Sequence, residues 1–243
     1  MKTNNKSNII IFQDFKEDKR ISMDVYTDSL YNSLKELQLN NCKISLFQPE
    51  IPFWISLFSK DLNLMTLRFF RYIIYPIIYF FKSKEHNHIV DQSYSHLLYF
   101  SKKNKSIITV HDLIPILAWK GLINGLKYPN YPFLMYFSLR ALKRAKFIIT
   151  VSDSTKKDLI NHFHLNESNI KVIHNGISEE FKQYSIQKKK LTRFNLFPND
   201  ESKFLILITG NQLYKNHETS FKVIENLQFK STKELQLVCL GGN

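Results

Sequence analysis

The sequence predicts an α/β protein with a mostly parallel sheet, on three observations. Short β-branched or apolar runs recur along the 243 residues, segments of helical spacing separate them, and Gly and Pro are scarce at 6 and 7. Strands that alternate with helices are joined by crossovers rather than hairpins, which places helices over both faces of a parallel sheet. The same composition, 44% apolar and 23% charged, excludes collagen-like, linker-like and wholly disordered chains.

The first strand is read at 8–12 (NIIIF), and from Ser22 to Leu37 the residues Met23, Tyr26, Leu30, Leu34 and Leu37 fall three and four apart, a helical spacing. Further strands are read at 43–47 (KISLF), 88–91 (HIVD), 106–110 (SIITV), 147–151 (FIITV) and 170–173 (IKVI). Residues 178–203 break this pattern: they show no sustained period, carry Lys188-Lys189-Lys190 and end in the turn signal Pro198-Asn199-Asp200. They read as a linker. A second α/β unit then starts with a strand at 204–209, a helix over 217–228 and a strand at 235–240. The expected organisation is a first domain over 1–180, a linker over 181–203 and an incomplete second domain over 204–243. Two strands and one helix do not cover both faces of a parallel sheet.

The 34 Lys and Arg against 21 Asp and Glu give a net charge of +13, which attracts nucleic acid, anionic lipid or phosphorylated substrates. A simple compositional bias toward Lys would give the same number. The Lys residues are scattered over predicted helices and loops, and no nucleic-acid module appears, so nucleic acid is not the expected partner. Cys42 and Cys239 form no CxxC or Cys/His cluster, so neither a disulfide framework nor a zinc site is expected, and a reducing compartment fits. The apolar run Ile9-Ile10-Ile11-Phe12 is too short for a signal-peptide core. A cytoplasmic location is the expectation.

Five segments carry groups suited to chemistry or binding. Val110-His111-Asp112-Leu113-Ile114-Pro115 follows the strand 106–110, and polar groups at the carboxyl end of a parallel strand open into the crevice where such sheets bind ligands. His111 can move a proton near neutral pH; the alternative is a His-Asp pair that caps a turn before Pro115. Ser152, Asp153, Ser154 and Thr155 begin a helix after the strand 147–151, as N-cap residues or as an anion site. Asn175-Gly176 suits a sharp turn with positive φ. Gly210 to Asn216 is a strand–turn–helix passage in which Gly210 permits close approach of a ligand and Lys215 can meet phosphate; it lacks the P-loop pattern. Finally, 62–81 is aromatic and apolar but broken by Arg68, Arg71 and Pro76, too interrupted to span a bilayer. With Lys82 and Lys84 it suits an interfacial helix on anionic lipid, with core burial as the alternative.

In order along the chain, these segments resemble glycosyltransferase family 4, the retaining, nucleotide-sugar-dependent enzymes of GT-B architecture. The resemblance is carried by His88-Ile89-Val90-Asp91 with Tyr94-Ser95-His96-Leu97, then VHDLIP at 110–115, RAKFIITVSDSTKKDLI at 144–160, IKVIHNGI at 170–177 and the Gly210 to Asn216 turn. It implies two Rossmann-like domains, an N-terminal one for the acceptor and a C-terminal one for the nucleotide sugar, working without a metal or other cofactor. It implies catalytic roles for His111 and Asp112, donor diphosphate contacts from Gly210, Asn211, Lys215 and Asn216, and an acceptor side or cleft lining from Asp91, Tyr94, His96, Ser152, Asn175 and Gly176. The implied partners are a nucleotide-sugar donor and a glycan or lipid-linked acceptor in surface polysaccharide or glycolipid synthesis, with 62–84 on an anionic membrane at the inner face.

Two departures from the family pattern stand out. Asn211 occupies a position where members often carry Arg, and the family's paired-glutamate motif would lie beyond Asn243. The expectation is therefore weak or absent transfer by this chain alone. The alternatives are an inactive remnant or partner-dependent subunit, and a non-enzymatic polyanion-binding protein.

Overall fold

β1 (Ser7–Phe12) carries the first predicted run, and its last three residues are buried. The computed structural model describes residues 7–37, 41–52, 64–102, 105–123, 132–177, 181–198, 203–208, 215–230 and 235–240. These fall into two units, Met1–Lys120 with Tyr128–Asn175, and Gly121–Lys127 with Gly176–Asn243.

In the first unit, α1 (Ile21–Glu36) and β2 (Cys42–Phe47) follow β1. A continuous helical stretch comes next: α2 (Leu64–Phe69), a π-helical turn at Phe70–Ile74, and α3 (Tyr75–Lys82). The cause of the wide turn is Pro76, which lacks the N–H that would bond the Tyr72 carbonyl and whose ring crowds that carbonyl. The Tyr75 N–H reaches back five residues to the Phe70 carbonyl instead. Phe70, Tyr75 and Tyr79 are buried on one face of this stretch. The Tyr75 hydroxyl donates to the Gln13 carbonyl at 2.6 Å, and that of Tyr79 pairs with the Ser106 hydroxyl at 2.8 Å. Met65, Phe69, Ile73, Ile77 and Phe81, four residues apart, are about half exposed or more. The segment 62–81 is thus a core helix on one face and an apolar surface on the other. No helix among the described residues is long and apolar enough to cross a membrane.

The remainder of the unit runs β3 (His86–Ile89), a 3-10 helix at Gln92–Phe100, β4 (Ser106–Val110), α4 (Ile114–Trp119), α5 (Pro132–Arg140), β5 (Phe147–Thr150), α6 (Asp153–Phe163) and β6 (Ile170–Val172). β3 lies two residues ahead of its predicted span. It stops at Ile89 because Asp91 turns its carboxylate to the Ser93 N–H and starts the 3-10 helix.

The six strands form one parallel sheet in the order β2-β1-β3-β4-β5-β6. From β1 the chain moves outward to β2 and then returns to the other side of β1 for β3. The order therefore reverses at the β1/β3 seam, and loops leaving the carboxyl ends of these two strands diverge to open a crevice. The core lies along the seam, where Ile11, Ile89, Val90, Ile108 and Val110 are fully or almost fully buried. This is the α/β, Rossmann-like sheet that the sequence predicts.

In the second unit, β7 (Lys203–Ile208) and β8 (Leu235–Leu240) pair in parallel from Lys203↔Leu235 to Ile208↔Leu240, with α8 (His217–Phe229) as the crossover. The segment without apolar period, read as a linker, holds a helix that the sequence pattern does not signal, here numbered α7 (Ile186–Leu196). It buries none of its side chains; the Ser185 hydroxyl caps it by accepting the Lys188 N–H, and Lys, Gln, Leu and Arg supply helix propensity. Hydrophobic periodicity reports a buried face, so a helix that lacks one gives no such signal.

Candidate active site

The site follows from the seam. Each strand there ends in polar residues: Gln13 and Asp14 after β1, Asp91 after β3, His111 and Asp112 after β4. Asp91 is 1% exposed, and an ionised carboxylate in that position costs several kcal/mol unless it is paired and hydrogen-bonded. It accepts the Ser93 N–H at 2.7 Å and the Ser93 hydroxyl at 2.9 Å, and makes a short ion pair with Arg20 Nη1. Arg20 Nη1 also lies 3.7 Å from the Asp14 carboxylate, itself buried. Burial and the neighbouring Asp91 charge raise the pKa of Asp14, which favours its neutral form. Burial pushes Asp91 in the same direction, but Arg20 and the hydrogen bonds outweigh it and hold Asp91 below the usual carboxylate range.

A second layer fastens the loop after β1. Arg71, from the π-helical turn, lies 3.4 Å from Asp18 Oδ2 and donates to the Ser93 carbonyl at 3.0 Å, with its guanidinium 4.4 Å from the centre of the Tyr94 ring. The Tyr94 hydroxyl donates to Asp18 and accepts the Phe15 N–H at 3.1 Å.

His111 is held from three sides. Its backbone N–H donates to Gln92 Oε1 at 2.8 Å, its carbonyl accepts the Thr155 hydroxyl at 3.2 Å, and the Tyr26 ring stands edge-on at 4.7 Å. Its Nε2 is 3.0 Å from the Val90 carbonyl. A carbonyl only accepts, so Nε2 carries the proton, and in the neutral ring Nδ1 keeps the lone pair. Asp112 Oδ1 accepts the Ile114 N–H at 3.0 Å, the turn-capping bond that spacing suggests, and burial raises its pKa. Asp112 also lines a cavity of about 430 Å³ within the first unit, together with Arg20, Arg71 and Gln92.

The other predicted site residues separate into groups. Tyr94 and His96 are 1% and 4% exposed, interior rather than open to a cleft: the ring of one underlies Arg71, and Nε2 of the other donates to the Arg71 carbonyl at 2.9 Å. Ser152 caps α6 by accepting the Thr155 N–H at 3.1 Å, as an ordinary N-cap. Asn175 and Gly176 are exposed, and neither adopts the positive φ that the dipeptide suggests. Asn216 does, at φ 57°, and its side-chain oxygen accepts the Thr219 hydroxyl at 2.9 Å; Lys215, beside it, is exposed. Gly210 and Asn211 lie outside the described residues.

Asp14, Arg20, Arg71 and Gln92 were missed by sequence reasoning. The strand-end rule that selected His111 would have selected Asp14, and Arg71 is one of two charges within an apolar run; Arg20 and Gln92 carry no comparable signal.

A family model described as Glycosyltransferase Family 4 matches residues 57–181, more than half of the chain. The chain belongs to glycosyltransferase family 4. The matched span contains His111, Asp112 and the loop from Asp91 to His96, while Asp14, Arg20 and the passage from Gly210 to Asn216 lie outside it. A family-4 glycosyltransferase implies a sugar donor and an acceptor. No curated protein matches the chain.

Two buried histidines make the stability of this family-4 protein sensitive to acid. Burial lowers His88 and His96 to about 4, helped in His88 by the nearby His111 and in His96 by the Arg71 charge. The folded state thus binds fewer protons than the unfolded chain between pH 6.5 and 4, so their contribution is complete above 6.5 and is lost as pH falls. Asp14 and Asp112, whose pKa values are raised, act in the opposite sense. The histidine contribution is therefore read by comparing variants: by chemical denaturation, His96→Gln, which keeps a donor for the Arg71 carbonyl, should shift the stability at pH 4.5 relative to that at pH 7 upward compared with the unsubstituted protein. An unchanged difference between the two pH values in the variant would contradict the assignment.

Proposed function

We propose that this protein transfers a sugar, with retention of configuration, from a nucleotide-sugar donor to a glycan or lipid-linked acceptor in surface polysaccharide or glycolipid synthesis. The observation that carries the proposal is the family match over the loop that presents His111 and Asp112 beside the β1/β3 seam. Transfer through an oxocarbenium-like transition state releases a diphosphate, so the protein must supply donors and positive potential where negative charge develops. In this reading His111 faces the transferring sugar and the acceptor hydroxyl. Its tautomer supports that role: with the Nε2 proton engaged by Val90, Nδ1 is the nitrogen left to accept from a substrate. Asp112 assists on the same loop. Gly210, Asn211, Lys215 and Asn216 take the donor diphosphate, with Lys215 as the cation and no metal. Asp91, Tyr94 and His96 serve the acceptor side by fixing the loops around it, and Ser152, Asn175 and Gly176 border the cleft.

The assay is transfer of radiolabel from a panel of UDP- and GDP-sugars into the lipid and glycan fractions of a membrane extract from the protein's source. Transfer by the 243-residue chain alone is expected to be weak, with label from one donor at a low rate, and His111→Ala should lower that turnover about a hundredfold or more while changing donor KM little. Robust turnover by the chain alone would overturn the expectation of weak transfer, and an unchanged rate in the variant would refute the proposal.

Peripheral binding at an anionic membrane is the second part of the proposal. Met65, Phe69, Ile73, Ile77 and Phe81 form an exposed apolar line along α2 and α3, and Arg68, Lys82 and Lys84 accompany it. Apolar insertion beside cations that meet lipid phosphates is the physics of interfacial helices. The protein should sediment with phosphatidylglycerol vesicles at low salt, and Phe69→Glu with Phe81→Glu should release it. Equal recovery in the supernatant with and without vesicles would rule this out.

A further inference from the structure

The first unit has a second concave site, at the end of the sheet away from His111. α6 leaves the carboxyl end of β5 and returns the chain to the amino end of β6, and α5 with the 3-10 turn Ala141–Arg144 leads into the amino end of β5. There Lys120, which closes α4, meets the ends of α5 and α6 around a hollow of about 380 Å³. Its lining carries five basic side chains, Lys120, Arg140, Lys143, His162 and His164, and no carboxylate among the described residues.

The helix ends answer part of this charge. The Lys120 ammonium donates to the His162 carbonyl at 3.2 Å and lies 5.2 Å from the centre of the Phe163 ring and 5.9 Å from that of Tyr136. A helix C-terminus and ring faces both favour a cation, so this ammonium is held in place. Arg140, Lys143 and the rings of His162 and His164 make no hydrogen bond or ion pair among the described residues. The acidic residues on and after α6, Asp158 and Glu167, do not line the hollow, and Glu167 pairs with Lys156 at 2.8 Å.

Like charges gathered in a concavity repel one another and focus a positive potential there, which an anion relieves. The planar fork of Arg140 can take two oxygens of one phosphate, and each lysine can meet another as a point charge. One phosphate carries about 1.5 to 2 negative charges, so three permanent cations match an anion with two phosphoryl groups better than one.

We infer that this hollow binds a compact anion with at least two phosphoryl groups, with Lys120, Arg140 and Lys143 as its cations and His162 and His164 as further donors. A free diphosphate and the diphosphate end of a lipid offer the same chemistry. Binding here needs no sugar and no turnover, and it is separate from the donor reading of Lys215.

The test is titration of the 243-residue chain, carrying ¹³Cε1-labelled histidine, with inorganic pyrophosphate, orthophosphate and sulfate at a constant ionic strength of about 0.15 M, where exposed charges are screened. Pyrophosphate should bind about tenfold or more tightly than orthophosphate, and the resonances of His162 and His164 should shift while that of His111 stays in place. Arg140 and Lys143 are exposed, so Arg140→Gln with Lys143→Gln should leave the fold intact and weaken pyrophosphate binding about tenfold or more. Lys188→Gln with Lys189→Gln, which removes the same charge from α7, should change it little. Capture of the chain by phosphatidylcholine vesicles doped with geranylgeranyl diphosphate, competed by pyrophosphate and lost in the Arg140/Lys143 variant, would assign the site to a lipid diphosphate. Pyrophosphate binding without such capture would assign it to a free one. Equal affinity for the three anions, or equal weakening in the two variants, would mean an adventitious ion only and overturn the inference. A shift at His217, next to Lys215, without one at His162 or His164 would overturn it as well and leave the donor reading intact.

Discussion

Asp91 is an ionised carboxylate sealed into the interior where β1 and β3 part, and the loops around it are arranged to keep it paired. Arg20 reaches it from the end of the loop after β1, and Ser93 supplies both a backbone and a side-chain donor. Because Arg20 is half-exposed on its far side, one residue satisfies the buried anion and still reaches the cavity. Asp14 shares the same enclosure, and two adjacent buried carboxylates with one arginine between them favour a single negative charge. The sheet order creates the opening; the ion pair fixes what borders it.

The stretch from Leu64 to Lys82 shows how one helix serves several demands. Its inner aromatic residues close the core, and two tyrosine hydroxyls find partners in the Gln13 carbonyl and Ser106. The π-helical turn that Pro76 imposes carries Arg71, which holds Asp18 and the Ser93 carbonyl from the side opposite Arg20. The outward face is left apolar, and that surface supports a membrane-associated reading of a family-4 glycosyltransferase.

Much of the architecture was legible because it depends on local pattern. The runs NIIIF, SIITV and FIITV fall on strands of the sheet, and the predicted span from Ser22 to Leu37 marks α1 to within a residue at either end. α7 was not legible, since a helix with every side chain away from a core leaves no apolar period. At the site, the strand-end rule found His111 and Asp112, whereas Arg20 and Gln92 act through tertiary contacts 71 and 19 residues away in sequence. Tyr94 and His96 stand in a segment that carries the family resemblance, and they contribute by packing beneath Arg71 rather than by facing solvent. A motif read from sequence does not distinguish a residue that touches a ligand from one that supports its neighbour.

If the Asp91–Arg20 pair organises the crevice, its two members must be energetically coupled. The direct measurement is a double-mutant cycle of Arg20→Met and Asp91→Asn by chemical denaturation at pH 7. Arg20→Met alone strands a buried carboxylate and is expected to cost about 3–5 kcal/mol. Adding Asp91→Asn, which keeps an oxygen for the Ser93 N–H but removes the charge, should restore part of that loss, with a coupling above about 1 kcal/mol. Additivity to within about 0.5 kcal/mol would mean that the pair is incidental, and the account of the site built on it would fail.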